Sequence, residues 1–173
     1  MSLSIGLLIL RVVIGAILMG HGSQKLFGWF GGHGFTGTTG WLKSQGFAPA
    51  WFWALLGALG EFAGGLLLVL GFLTPLGAIA VFASMLMAVI RFHWANGFWS
   101  TQGGYEYPFV LMIIGLVIGL MGPGAYSIDA LAHIVVPSLL FWVGLVLAII
   151  VVAIGAVSSY RQTAKQAPAQ KAA

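Results

Sequence analysis

The chain has 173 residues, 60% of them hydrophobic and 6% charged, with a formal net charge of +4 and a mean hydropathy of +1.05. A soluble domain carries roughly a quarter of its residues as charges, so this chain cannot wet a surface and its solvent is lipid. It has no cysteine, which excludes disulfides, thiolate metal sites, iron–sulfur clusters and thiol nucleophiles. Its scattered Lys and Arg read as topology signals at a membrane surface rather than as a nucleic-acid footprint.

The first apolar run, Leu3–Phe27, is long enough to cross a bilayer, which takes about 20 residues. It lacks a basic leader region and Arg11 interrupts it, so it reads as a first span rather than a cleaved signal. Residues 28–50 are rich in glycine and tryptophan, and Phe35, Thr39 and Leu42 follow helical spacing. That pattern predicts a short helix lying in the membrane interface within an aromatic belt. Trp51–Leu73 and Pro75–Trp94 form two further spans. Gly71 to Pro75 makes the turn between them, with the proline in the first helical turn, where it is tolerated. Tyr107–Met121 is a shorter fourth span that Gly103 and Gly104 can extend. A breaker-rich loop follows at 122–129, then a fifth span, Ile134–Val157. The polar, Ala/Gln-rich, basic stretch from Ser158 onward predicts a disordered tail.

These runs are long and lack two-residue alternation, which favours helices over strands. The expected fold is all-α: a polytopic transmembrane helical bundle with a four-helix core in 1–130, interfacial segment 28–50 included. A fifth C-terminal transmembrane helix lies in 131–157 and a basic tail in 158–173. With five spans, Lys43, Arg91, Arg161, Lys165 and Lys171 share one face. That face is normally cytoplasmic, so the N-terminus is expected outside and the C-terminus inside.

Several helices carry small residues on one face at steps of four and three: Gly15 and Gly22; Gly57, Gly64 and Gly71; Gly77; Gly115 and Gly119. Such spacing lets helices approach closely where lipid offers no hydrophobic drive for association. Charges sit on the same faces. Glu61 lies mid-span, where an ionised side chain costs at least ~2.5–3.5 kcal/mol and needs a partner. Depth counted from the segment boundaries pairs it with Arg11. The pair reads either as a structural clasp or as a proton or ligand site.

A second polar group falls near the opposite boundary: His21, Gln24 and Lys25, then Arg91 and His93, then Tyr105, Glu106 and Tyr107. One reading is ordinary snorkelling at headgroup depth. The other is a headgroup-level pocket for a polar ring such as a quinone, with its tail between helices. No metal site is expected: the four histidines show no ligand spacing. No Walker loop, GxSxG or dinucleotide fingerprint occurs, and no cofactor beyond a possible quinone is indicated.

The run from Arg11 to Gly15, followed by His21-Gly22-Ser23-Gln24-Lys25-Leu26, resembles the opening of DoxX-family membrane proteins. The run from Glu61 to Gly71 is similar to that family's second helix, and Gly122 to Asp129 to its last loop. The resemblance spans roughly residues 5 to 130, and the fifth span departs from the family's usual four. It implies a small plasma-membrane protein, often the membrane partner of soluble or membrane redox enzymes, some of them quinone-linked. Three functions follow for comparison: a non-catalytic subunit or anchor of a redox or stress-response complex, a thiosulfate:quinone oxidoreductase-like subunit, and a small proton-coupled transporter. A homo-oligomer is compatible with each.

Overall fold

The computed structural model describes the backbone of residues 2–171 and the side chains of residues 2–165. All the regular structure among them is helical: α1 (Ser2–Phe27), α2 (Gly34–Ser44), α3 (Ala50–Leu70), α4 (Thr74–Met87), α5 (Glu106–Met121), α6 (Ile128–Leu131) and α7 (Ser138–Lys171). Four of these stretches are long and apolar enough to cross a membrane, with α4 running on as far as Asn96. α5 has 16 residues, roughly 24 Å at 1.5 Å per residue, and is the short member of the set. Gly103 and Gly104 do not lengthen it, contrary to expectation. They close a compact loop instead, where Gly104 N–H donates to the Trp99 carbonyl at 3.0 Å.

α4 is the centre of the bundle, packed between α3, α5 and α7. Its Ala78, Val81, Phe82 and Met85 meet Ile14 and Leu18 of α1, Leu68 of α3, Leu111, Met112 and Ile118 of α5, and Phe141 and Leu145 of α7. A second cluster of Leu42, Phe47 and Ala54, flanked by Phe35, Met87 and Phe92, seats α2 across the ends of α3 and α4. The outward faces are apolar too: Leu3, Ile9, Leu139 and Ile154 are more than half exposed. An apolar exterior around an apolar interior is what a helix bundle in lipid requires.

Glycine sets the helix spacing. A Cβ on Gly15 would lie 2.5 Å from the Gly65 carbonyl, one on Gly22 2.5 Å from the Phe62 amide nitrogen, and one on Gly119 2.5 Å from the Phe141 ring. Gly64 and Gly77 mark the α3–α4 contact, and Gly115 the α4–α5 contact. Gly57 departs from the expected packing role, since nothing lies within 4 Å of where its Cβ would stand. The pairings Gly64–Ala80 and Gly60–Ser84 put its level at the end of α4, where that helix widens into a π turn over Ala88–His93.

The C-terminal segment differs from its sequence expectation at both ends. α7 begins at Ser138, because Ala132–Pro137 runs irregularly and Ile134 N–H bonds back to the Asp129 carbonyl at 2.8 Å. Beyond Val157 the helix runs on as far as Lys171, where composition predicts a disordered tail; residues 172 and 173 of that tail lie outside the described residues. Two causes act together: alanine and glutamine suit helices, and Ser159, fully buried, is docked against α4.

Candidate functional site

The α3–α4 turn organises one end of the bundle. α3 stops at Gly71, whose left-handed φ of 62° permits a Schellman closure with Phe72 N–H on Leu67 and Gly71 N–H on Leu68. Leu73 then also takes a left-handed φ of 44°, a strained geometry for a branched residue. Asp129 holds it there. Its carboxylate accepts from Leu73 N–H at 2.7 Å, Thr74 N–H at 2.9 Å and the Thr74 hydroxyl at 2.8 Å, while its own N–H donates to the Gly71 carbonyl at 2.9 Å. An anion thus sits at the α4 N-terminus, where the helix dipole favours it.

Arg11 of α1 comes up beneath the same turn. It is fully buried and donates through Nη2 to the Tyr126 carbonyl, in the loop that leads to Asp129. Gly71 must be glycine here for a second reason: a Cβ would overlap the guanidinium. Nε and Nη1 of Arg11 have no protein partner.

Glu61 does not pair with Arg11. Its Oε1 accepts from Lys25 Nζ, the one salt bridge among the described residues. The cause is register. α1 and α3 run antiparallel with Arg11 opposite Gly71, Gly15 opposite Gly65 and Gly22 opposite Phe62. Arg11 and Lys25 are fourteen residues apart, roughly 21 Å along the helix, so the glycine contacts bring only Lys25 to Glu61. The Glu61 side chain is 5% exposed and its Oε2 has no partner, whereas the Lys25 side chain is 37% exposed. α2 packs against the end of α1 here, the Thr38 hydroxyl donating to the Lys25 main-chain carbonyl at 3.2 Å.

The remaining polar residues at that end do not converge on one pocket. His21 meets Tyr107 of α5, ring centroids 6.2 Å apart. Gln24 donates to the Phe30 carbonyl at 3.1 Å. His93 Nδ1 lies 2.8 Å from the Gly103 carbonyl. Tyr105 stacks on Trp94 at 5.0 Å. Glu106 accepts from Ser100 N–H at 2.9 Å. Arg91, at the π turn, is a three-way clasp: Nε donates to the Ser159 hydroxyl at 2.7 Å, Nη2 to the Gln45 carbonyl at 2.5 Å, and the guanidinium lies 4.5 Å from the Tyr160 ring centroid. Among the described residues no three His, Asp or Glu are placed to hold a metal ion.

Sequence reasoning missed Asp129, Thr74, Ser159 and Thr163 as bonding residues. A partial signal existed for the first: the chain has three acidic residues, and a carboxylate in a breaker loop at a membrane boundary needs donors to accept from, although the Leu73 and Thr74 amides that supply them are 56 and 55 residues away. Ser159 and Thr163 carried none, because their partner Arg91 is 68 and 72 residues distant.

No curated protein and no solved structure matches the chain. The sequence profile of DoxX matches residues 6–94, the stretch from α1 to the end of the α4 π turn that contains Arg11, Lys25, Glu61 and Arg91. That match covers more than half of the chain, which is a multi-pass membrane protein and belongs to the DoxX family.

Proposed function

We propose that the protein is a non-catalytic membrane subunit or anchor of a redox or stress-response complex in the plasma membrane. One observation carries the reading: the polar side chains that could have formed a catalytic pocket are spent on the fold itself. Arg91 ties α4 to α7, Glu106 caps a loop turn, and Gln24 and His93 bond to main-chain carbonyls. Trp94 and Trp99 remain 60% exposed and Trp29 57%, leaving an aromatic rim suited to headgroups and to a membrane-bound partner.

The reading is tested by native mass spectrometry of the chain after solubilisation from its own membrane in a mild detergent. A redox protein bound at fixed stoichiometry is the expected result. A chain that flies alone, and that yields no cross-link to a redox protein in intact cells, overturns it.

A second reading is a quinone-interacting subunit. The His21–Tyr107 contact favours it, since those two rings border the α1–α5 seam and offer donors to a ring carbonyl. It predicts quinone in lipid extracts of the purified protein, lost in His21→Ala.

The orientation we favour places the Lys25 end in the cytoplasm. Lys25, Lys43, Arg91, Arg161 and Lys165 lie at that end, and Arg11 alone lies toward the other. The chain has no native cysteine, so a single introduced cysteine at Lys165 reports sidedness directly. Labelling by an impermeant maleimide in intact cells would reverse the assignment.

A further inference from the structure

The two cations of α1 are held in different ways. Arg11 is fully enclosed, and the α3–α4 turn closes over it. Lys25 is 37% exposed on its side chain, while its partner Glu61 is 5% exposed. The Lys25–Glu61 pair can therefore separate in one direction: the ammonium moves to water at the bundle end and the carboxyl stays behind. A bare carboxylate left inside would be very costly, and neutralisation removes that cost.

Glu61 is already half-satisfied. Lys25 bonds Oε1, and Oε2 is buried with no partner. From these observations we infer that Glu61 is a proton-binding site served from the Lys25 end of the bundle, with Lys25 as its displaceable internal counter-ion. One proton from water on that side bonds to Oε2 and gives a neutral carboxylic acid. Lys25 keeps its own proton and moves to the headgroup layer. No electrons move, and the Lys25 end gains one positive charge.

The groups around Glu61 are few. α1 presents Lys25 and, one turn earlier, His21, whose ring faces Tyr107 of α5. Beyond these, α2 places the Thr38 hydroxyl on the Lys25 main-chain carbonyl, and α4 places Ser84 against Gly60, the residue before Glu61. Toward the other end of the bundle the α1–α3 seam is shut. A Cβ added at Gly65 would lie 2.6 Å from the Gly15 carbonyl, so the α1 and α3 backbones are in contact there. On this reading Glu61 exchanges its proton with the Lys25 side alone.

Infrared difference spectroscopy of the full-length protein in lipid nanodiscs, titrated in H2O and D2O, tests this. Acidification should raise one carboxylic-acid carbonyl band per chain that shifts in D2O and is absent in Glu61→Gln. Lys25→Met should show the band already at neutral pH. Should Glu61→Gln fail to fold, Glu106→Gln grown on isotope-labelled glutamate reports Glu61 alone, since these are the chain's two glutamates. Liposomes should show no sustained proton flux. A Glu61 that stays ionised at every pH where the protein is folded, or ionised in Lys25→Met, overturns the site. Steady flux overturns its one-sidedness.

Discussion

The guanidinium of Arg11, in the first helix, donates to the main-chain carbonyl of Tyr126, 115 residues further along the chain. That bond pins the loop after α5 beneath the α3–α4 turn and draws together the beginning, middle and end of the core. In hydrocarbon the alternative partner, water, is scarce, so the arginine is committed to this position once the bundle closes.

Arg11→Ala should therefore lower stability by about 3–5 kcal/mol, the usual consequence of removing one partner from a buried charge arrangement. Glu61→Gln should not rescue it, because Glu61 answers to Lys25. Thermal unfolding of single and double variants in detergent measures both. Recovery of the Arg11→Ala midpoint by Glu61→Gln would contradict the observed pairing.

Asp129→Asn should loosen the α3–α4 turn without dissolving the helices. The carboxylate accepts three hydrogen bonds there, and an amide retains only part of that capacity. The expected loss is about 1–3 kcal/mol. It should show locally as faster amide hydrogen exchange at Leu73 and Thr74. Unchanged protection at those two amides would mean that Leu73 keeps its strained geometry without help.

How far the sequence discloses this architecture depends on which physical scale is asked. Helix positions follow from hydrophobic run length, a local property, and the runs at residues 3–27, 51–73 and 75–94 overlie α1, α3 and α4 closely. The need for Glu61 to have a partner also follows, from the cost of a lone charge in lipid. The partner's identity does not, because depth counted from run boundaries ignores the interhelical register that Gly15 and Gly65 impose. The dispersed pocket has the same origin. His21, Arg91 and Glu106 share a depth, but depth says nothing about position around the bundle, and the contacts of Arg91 turn it toward α7. The tail composition likewise hides the docking of Ser159, since its partner lies on another helix.

The glycine contacts give a direct test of that register. Gly15→Leu places a side chain where the Gly65 carbonyl already stands at 2.5 Å from an added Cβ. Overpacking of this kind costs about 1–3 kcal/mol, and here it also pries Lys25 from Glu61. Gly57→Ala is the matched control: nothing lies near its added Cβ, and alanine is the better helix former by about 1 kcal/mol. Unfolding midpoints should fall for the first and hold or rise for the second. Equal losses at both positions would show that the α1–α3 contact is not where the backbones meet.

The clasp at Arg91 makes the last prediction. Arg91 reaches Ser159 on α7 and the Gln45 carbonyl before α3, and it lies over Tyr160. A guanidinium can serve these directions at once because its donors are fixed in a planar fork and its face stacks on rings. Lysine has neither property. Arg91→Lys keeps the charge at headgroup depth, so any effect isolates geometry from electrostatics. It should free the end of α7 while leaving Ser138–Leu145 packed on α4 through Phe141 and Leu145. Limited proteolysis should then cut after Arg161 or Lys165 several-fold faster than in the parent. Ser159→Ala should have a smaller effect of the same sign, because it removes one of the contacts. Cleavage at the parent rate in Arg91→Lys would assign the tail's order to helix propensity alone.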